Sequence, residues 1–256
     1  MIKERKKEFG FTLVEVAVVI VIIGIMASIA LQSLNSNIEH SRFKATTQEM
    51  EQLKIAILGD SRLVTGGIRT DFGYVGDVGA LPPSLTALIK NPGGYKTWNG
   101  PYIDIGFSED KKGFMTDAWG KPYKYTKTVI KSTGGKTVIT KKLVDNISDI
   151  DNNSITGQIA DGLGNPPSAK ASEVTVKITY PNGKGKTKTV KTHPSGSGNF
   201  RFFKIPVGNH TILSYTSDGD SSEVLVSVLP RSSPFVNIRF PGDLWGRYPM
   251  SHKKGK

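Results

Sequence analysis

The feature that most constrains this chain is an apolar run, FTLVEVAVVIVIIGIMASIAL, at positions 11–31. Its only charged side chain is Glu15. A helix rises about 1.5 Å per residue, so roughly 20 apolar residues match the hydrocarbon core of a bilayer. Residues 1–10 are rich in Lys and Arg and should stay on the cytoplasmic side. The pattern predicts a single-pass membrane anchor with the rest of the chain outside the cytoplasm.

The small residue Gly10 lies before the apolar run, whereas a secretory signal carries its small-residue cleavage site behind a shorter run. A cut after Gly10 would leave Phe11 with a free amino group. A carboxylate at Glu15 is costly in lipid unless a cation pairs with it. The Phe11 amine of a neighbouring subunit could be that cation. The alternative is an uncleaved anchor that tolerates one glutamate.

The segment Gly10-Phe11-Thr12-Leu13-Val14-Glu15, between a basic leader and an apolar helix, resembles the signal of type IV pilins and type II secretion pseudopilins. The resemblance implies that a prepilin peptidase cleaves between Gly10 and Phe11, that Phe11 is N-methylated, and that Glu15 acts in assembly. It further implies that the chain lies in the inner membrane and then enters a pilus or pseudopilus fibre. Its partners there would be copies of itself and other pilin or pseudopilin subunits.

An amphipathic stretch continues the apolar run. Residues 32–58 place apolar side chains three and four residues apart, the spacing of one helix face, and Gly59 is a typical helix stop. We expect one helix over 11–58, with its N-terminal half in the membrane or the fibre core and its C-terminal half under a globular head. The apolar positions are Leu34, Ile38, Met50, Leu53 and Ile57.

Residues 59–150, called the head below, contain aromatic side chains beside Gly-Pro and Gly-x-Pro turns at 98–103 and 117–125. Such rings should hold the turns against a small core. The two stretches resemble the head of the major pseudopilin of type II secretion, which implies a small antiparallel sheet. Alternating residues around Ser132-Thr133-Gly134-Gly135 predict a β-hairpin in that sheet.

A calcium site is the one cofactor site that the resemblance suggests, because pseudopilin heads of this type end in a calcium-binding loop. The nearest oxygen-rich run is not an EF-hand, but its side chains are of the type that Ca²⁺ prefers. The alternative is an acidic linker between two domains. The candidate ligands are Asp145, Asp149, Asp151 and Asn153.

Residues 151–242, called the sandwich below, read as seven short strands between Gly, Pro and Asn turns. This spacing is typical of an antiparallel β-sandwich. The stretches at 155–166 and 198–210 resemble the transthyretin-like, carboxypeptidase-regulatory-like sandwich, which implies a binding or spacer module. Residues 243–256 should form a mobile basic tail. The predicted fold class is therefore α+β: a long N-terminal helix packed on a small antiparallel sheet, the pilin fold, followed by an all-β sandwich.

No enzyme is predicted, and no catalytic residue is assigned. The absence of cysteine excludes disulfides, thiolate metal sites and cysteine nucleophiles. The sequence has no Gly-x-Ser-x-Gly elbow and no phosphate-binding loop. The four histidines fall on separate predicted elements, without metal-ligand spacing. They are His40, His193, His210 and His252.

The net charge of +12 raises the possibility of an acidic partner. Lys184, Lys186 and Lys188 are alternate residues, so on a strand they would point to one face and form one row of phosphate contacts. Nearby aromatic rings could stack on bases only if they are exposed. The alternative is that these lysines protect an edge strand from aggregation. The aromatic residues concerned are Phe200, Phe202 and Tyr215.

These observations predict a structural subunit that displays its sandwich for adhesion or for contact with a secreted substrate or polysaccharide. A domain of about ninety extra residues would crowd a close-packed fibre, so a minor subunit is favoured. One alternative is a DNA-binding pilin of a DNA-uptake system that uses its lysine-rich strands. Another is a simple membrane-anchored surface binding protein.

Overall fold

The computed structural model describes residue 10 and residues 12–104 and 113–246, which form a long helix, the head and the sandwich. The described helices are α1 (Leu13–Leu58), α2 (Gly73–Val78) and α3 (Ser148–Asp151), with 3-10 turns at Leu85–Leu88, Gly113–Met115 and Ser168–Glu173. The strands are β1 (Val64–Thr65), β2 (Ile68–Arg69), β3 (Lys124–Tyr125), β4 (Val129–Ser132), β5 (Ile139–Lys142), β6 (Asn153–Ala160), β7 (Val174–Pro181), β8 (Thr187–Thr192), β9 (Asn199–Ile205), β10 (Gly208–Thr216), β11 (Ser221–Val228) and β12 (Phe235–Arg239).

Helix α1 begins and ends at residues with capping geometry. Thr12 is extended, and its Oγ1 accepts a hydrogen bond from the backbone N–H of Glu15 at 3.2 Å. At the other end Gly59 has φ 79°, and its N–H donates to the Ile55 carbonyl at 2.6 Å. A Cβ on Gly59 would lie 2.4 Å from the carbonyl oxygen of Asp71, so only glycine fits there. The predicted stop is confirmed.

The head packs around the last turns of α1. Met50, Leu53 and Ile57 are buried, whereas Leu34 and Ile38 are 56% and 40% exposed. The amphipathic face predicted for 32–58 is therefore covered by the head only in its C-terminal part, since the head does not reach further along the helix. The core around α1 also contains Tyr74, Val75, Val78, Leu88, Ile130 and Ile150.

A three-stranded antiparallel sheet, in the order β3-β4-β5, lies against α1. Strands β4 and β5 form the predicted hairpin, with Ser132 opposite Ile139. Lys141 on β5 forms an ion pair with Glu51 on α1. This arrangement confirms the prediction of a long helix packed on a small antiparallel sheet.

All seven strands predicted for the sandwich are present. They form a four-stranded sheet, β11-β10-β7-β8, and a three-stranded sheet, β12-β6-β9. One pairing differs from the prediction, because β12 runs parallel to β6. The chain crosses from the four-stranded to the three-stranded sheet after β11, and this crossing brings β12 beside β6 in the same direction. The largest fully buried side chains of the shared core are Phe202, Phe240, Ile155, Ile159 and Ile178.

The head and the sandwich are joined by backbone hydrogen bonds as well as by the chain. Val207, between β9 and β10, is buried in the core of the head, and its N–H donates to the Ile150 carbonyl at 2.7 Å. The Gly183 N–H donates to the Val78 carbonyl at 2.8 Å. A residue of the sandwich thus completes the core of the head. The domain boundary between residues 150 and 151 stays a prediction.

The start of the predicted mobile tail, residues 243–246, is held against the sandwich. The Trp245 N–H donates to Asp161 Oδ2 at 3.1 Å. The Trp245 ring contacts Phe240 edge-on, with the centroids 5.5 Å apart. These contacts contradict the mobility predicted for 243–246, because Trp245 adds apolar surface to the core. Residues 247–256 of that prediction lie outside the described part of the chain.

Candidate assembly segment and binding surfaces

The three predicted processing and assembly residues lie at the start of α1. Gly10 is exposed and has no regular secondary structure. Phe11 lies outside the described residues. Glu15 lies in the first turn of α1 and is exposed. The roles of these three residues stay predictions.

Residues 13–38 of α1, called the exposed segment below, have no buried side chain in the described structure. A window of 18 residues in this helix has a mean hydropathy of 2.8, and α1 is the one described helix long and apolar enough to cross a membrane. At about 1.5 Å per residue the exposed segment is on the order of 40 Å long. An apolar surface of this extent is unstable in water and needs lipid or other helices around it.

The sequence analysis missed a local role for Glu15. Thr12 and Glu15 form the Thr-x-x-Glu pattern of a capping box, and the hydrogen bond from the Glu15 N–H to Thr12 Oγ1 is present. A carboxylate in the first turn also interacts favourably with the helix dipole. Thr12 thus caps the start of the helix, with the Glu15 carboxylate in its first turn, and the spacing alone was sufficient to predict this.

Asp117 organises the loop that joins the head to α1. It is 3% exposed, and its carboxylate accepts hydrogen bonds from the Ser132 hydroxyl at 2.6 Å and from the Gly134 N–H at 2.9 Å. The backbone N–H groups of Trp119 and Lys121 donate to its other oxygen. Burial alone would raise the pKa of Asp117, but these hydrogen bonds outweigh it and hold the pKa below its usual value.

The side chains around Asp117 reach directly to α1. The Trp119 indole N–H donates to the Glu39 carboxylate at 3.1 Å, and the Tyr123 hydroxyl donates to Glu49 Oε2 at 2.7 Å. The aromatic residues of 117–125 are therefore structural, as the sequence predicted. They attach the head to α1, the helix that begins with the exposed apolar segment.

The aromatic residues of 98–103 hold a second loop. The Trp98 indole N–H donates to the Ala87 carbonyl at 2.8 Å, and the Tyr102 hydroxyl donates to Asp77 Oδ2 at 2.8 Å. The Trp98 and Tyr102 rings meet edge-on, with the centroids 5.7 Å apart. This confirms the prediction that these rings hold their turn against the core.

Three of the predicted calcium ligands, Asp145, Asn153 and Asp149, have protein partners of their own. Asp145 pairs with Lys142 at 2.5 Å and with Arg231 at 3.1 Å. The hydrogen bond from Lys142 and the two cations lower the pKa of Asp145. Asn153 is buried, and its Oδ1 accepts a hydrogen bond from the Ser232 N–H at 3.2 Å.

Asp149 and Asp151 face different surroundings. Asp149 is buried, and its Oδ2 accepts from the Asn146 N–H at 3.0 Å. Asp151 is exposed at the end of α3, beside a lysine-lined cleft. Within the described ranges no group of three or more His, Asp or Glu side chains is arranged to hold a metal. Calcium binding stays a prediction, as does the alternative of an acidic linker.

The predicted lysine row is not a strand face. Lys184 and Lys186 lie in the turn between β7 and β8, where Asn182 Oδ1 accepts from both of their N–H groups at 2.9 and 3.2 Å. Only Lys188 lies on β8, because the turn extends to Lys186. The prediction that the three lysines point to one face of a strand is therefore wrong. Lys184 and Lys188 line a cleft of about 350 Å³ between the head and the sandwich, with Lys204 nearby.

The aromatic residues proposed to stack near these lysines are not available. Phe200 and Phe202 point into the sandwich core, with 6% and 2% exposure. Tyr215 is half-buried. The exposed aromatic ring of β9 is instead that of Phe203, at 63% exposure. The sequence could not decide this, because the run of residues 200–203 places aromatic side chains on both faces of the strand.

Two adjoining clefts between the head and the sandwich were also missed. Their volumes are about 510 and 360 Å³, and both are lined by Gly76, Asp77 and Asn209. Burial raises the pKa of Asp77, against the lowering effect of the Tyr102 hydroxyl. No local pattern in the sequence predicts these clefts, because they exist only where the two parts of the chain meet.

Comparison with known proteins supports the reading of the N-terminus. Residues 5–31 match the family model described as a prokaryotic N-terminal methylation motif. The chain is also 29% identical over 133 residues to the type II secretion system core protein G of Pseudomonas aeruginosa. This alignment covers 48% of the present chain and 75% of that protein.

Similarities to solved structures are weaker. A DUF3823 family protein from Parabacteroides merdae has 14% identity and a TM-score of 0.28, over 36% of this chain and 46% of that one. The major pilin subunit of Bacillus cereus has 17% identity and a TM-score of 0.27, over 44% and 37%. TM-scores of this size do not establish a shared fold. The chain is thus pilin-like and pseudopilin-like: it carries the prokaryotic N-terminal methylation motif at the start of a long helix, followed by a small head and a β-sandwich.

Proposed function

We propose that this chain is a structural subunit of a type IV pilus or type II secretion pseudopilus, without a catalytic role. A prepilin peptidase would cleave between Gly10 and Phe11, and Phe11 would then be N-methylated. The observation that carries the proposal is the continuity of the methylation motif, residues 5–31, with an apolar segment that the described structure leaves uncovered. The similarity to a type II secretion core protein supports the same class of assembly.

The exposed segment has two successive environments in this proposal. Before assembly it lies in the inner membrane, where its length on the order of 40 Å is sufficient to cross a hydrocarbon core of about 30 Å. After assembly it packs against the same segment of neighbouring subunits. The helix does not refold between the two states, because both surround it with apolar groups and all its internal hydrogen bonds persist.

Glu15 would select the correct packing of neighbouring helices. Once the fibre core excludes water, an unpaired carboxylate at this position is costly. Pairing with the Phe11 amine of a neighbour removes that cost only in the correct register. The capping hydrogen bond at Thr12 would keep the first turn helical, so that Glu15 meets the Phe11 amine of the neighbouring subunit from a fixed position.

The sandwich would be displayed away from the fibre core. It contacts the head through Val207 and Gly183, at the end of α1 opposite to the assembly signal. A domain of about ninety residues at that place would crowd a fibre built only of this chain. We therefore propose a minor subunit that presents the sandwich for adhesion or for contact with a secreted substrate.

Two measurements test this function. Mass spectrometry of the protein from the native membrane should show an N-terminal methylated Phe11, and an intact N-terminus would instead support a simple anchored binding protein. The substitution Glu15→Leu should leave the chain in the membrane and exclude it from filaments, measured by sedimentation and immunoblotting. Gln32→Leu, which replaces another exposed polar side chain of the same helix, should assemble normally. Normal assembly of Glu15→Leu would refute the pairing.

A further inference from the structure

The outer face of the three-stranded sheet of the sandwich, called the β6 face below, carries polar, cationic and aromatic side chains. Strand β6 points Ile155 and Ile159 into the core, so Thr156 and Gln158 point outward. The pairing of β9 and β12 with β6 places the outward residues of all three strands side by side. Apart from Ala160, the outward side chains are Ser154, Thr156, Gln158, Asn199, Arg201, Phe203, Phe235, Asn237 and Arg239.

These side chains form two rows across the sheet. Thr156 lies between Arg201 and Phe235 in the first row. Gln158 lies between Asn199 and Asn237 in the second. Neighbouring strands are about 4.8 Å apart, so a row across three strands is roughly 10 Å long. The two rows are about 6.6 Å apart, because alternate residues of a strand have this spacing. One row thus presents a cation and an aromatic ring, and the next presents three amides.

Among the described residues, the cations of this face have no acidic partner. The Arg201 guanidinium lies over the Phe203 ring, 4.7 Å from its centroid, and Phe203 is 63% exposed. Within the described structure neither Arg201 nor Arg239 forms an ion pair. None of the nine outward positions is acidic. The ring holds the Arg201 guanidinium in place while its N–H groups remain available.

We propose that the β6 face binds an acidic polysaccharide of the polyuronate type. The carboxylates of such a polymer match Arg201 and Arg239, since guanidinium and carboxylate form paired charge-assisted hydrogen bonds. Sugar hydroxyls both donate and accept, as the side-chain amides of the second row do. Phe235, 59% exposed, offers an apolar surface for one face of a sugar ring.

Single-stranded nucleic acid fits this face less well. Binding without sequence preference relies on successive aromatic rings on which bases stack. Here Arg201 already lies over Phe203, and the neighbouring Phe202 is buried in the core. Phe235 is then the one ring of this face without a cation over it. The amide row also matches sugar hydroxyls better than a phosphate chain, which offers acceptors alone.

The inference rests on the proposed function only for its cellular setting, because the sandwich must be outside the cytoplasm to meet such a polymer. Binding itself needs neither cleavage nor assembly. The full chain solubilised in detergent is therefore the material for the test. An intact N-terminus would refute the proposed function and leave the binding result unaffected.

The experiment measures the affinity of the full chain for polygalacturonate, with neutral dextran and an oligothymidylate as comparison ligands. The variant is Arg201→Gln, which removes one charge from the β6 face. The matched control is the combination Lys184→Gln, Lys186→Gln and Lys188→Gln, which removes three charges from an exposed turn and strand away from it. Thermal unfolding of each variant checks that the fold is intact.

We expect polygalacturonate to bind, dextran to bind at least tenfold more weakly, and Arg201→Gln to weaken polygalacturonate binding about tenfold. The triple lysine variant should stay within about twofold of the native chain, since its charges lie elsewhere. A larger loss in the triple variant than in Arg201→Gln would overturn the proposal in favour of a non-specific charge effect. Tighter binding of oligothymidylate than of polygalacturonate, or no retention of polygalacturonate at low salt, would also overturn it.

Discussion

The exposed segment of α1 and the sandwich differ in where their stabilising contacts come from. Every described side chain of residues 13–38 is exposed, although the segment is strongly apolar. The sandwich instead buries its apolar side chains between its own two sheets, around Phe202 and Ile178. One region is therefore complete only with lipid or other helices around it, and the other is complete within one chain. In the proposed function, assembly and display are thus assigned to separate parts of the sequence.

The loop around Asp117 lies between these two extremes. It belongs to the head, yet its side chains bind α1 through Trp119 and Tyr123. The self-contained part of the molecule thus begins near Glu39, where the first of these contacts falls. Residues 13–38, before that position, bury no side chain against the head or the sandwich.

The largest effect that tests this comparison is expected in the sandwich core. Phe202→Ala removes a fully buried ring and should lower the free energy of unfolding by about 3–5 kcal/mol. Phe203→Ala, at the next position but 63% exposed, should cost less than about 1 kcal/mol. Ile22→Ala in the exposed segment should leave the unfolding of the head and the sandwich unchanged. Thermal unfolding of the full chain in detergent measures all three, and similar losses for Phe202→Ala and Ile22→Ala would remove the distinction between the regions.

A smaller effect is expected where the head joins α1. The Asp117 carboxylate accepts four hydrogen bonds, whereas the Asn side chain has one accepting oxygen and one donating NH2 group. Asp117→Asn should therefore lower the free energy of unfolding by about 2–3 kcal/mol. Ser148→Ala on α3, an exposed side chain without a recorded partner among the described residues, serves as the control.

The comparison of the native chain with Asp117→Asn also predicts how the stability of the fold depends on pH. The folded state lowers the pKa of Asp117, so its stabilising contribution is fully present above the unfolded pKa of about 4. That contribution is lost as the pH falls through the lower, folded pKa. Below about pH 4 the native chain should therefore lose stability more steeply with falling pH than Asp117→Asn, measured by chemical denaturation. Parallel curves for the two proteins would contradict the assigned role of this carboxylate.

The smallest effect concerns the first turn of the exposed segment. Thr12→Ala removes the N-cap acceptor and should destabilise that turn by about 1 kcal/mol. The amide hydrogens of the first turn should then exchange about fivefold faster in detergent. Thr47→Ala, whose hydroxyl donates to the Phe43 carbonyl inside the same helix, should leave that turn unchanged. Equal exchange rates in Thr12→Ala and the native chain would show that the lipid-like environment alone maintains the helix start.

Much of the fold was predictable because its signals are local. The apolar run, the stop at Gly59 and the seven strands of the sandwich all follow from periodicity and from turn residues. The lysine row was not predictable in this way, since the boundary between the turn and β8 falls at Lys186. The capping role of Thr12 and Glu15 could have been found, because its four-residue pattern is complete in the sequence.

The sequence by itself determined the order of the parts: a basic leader, a membrane-length helix, a head with aromatic turns and a run of β-strands. Only the tertiary structure decided which surfaces those parts present. The parallel pairing of β12 with β6 places Phe235 and Asn237 in line with Arg201 and Asn199, which lie more than thirty residues earlier. Strand pairing and the choice of the inward face depend on contacts between distant residues, which no local pattern encodes. The N-terminal methylation motif could therefore be recognised from the sequence, while the candidate binding face appeared only when the sheet was formed.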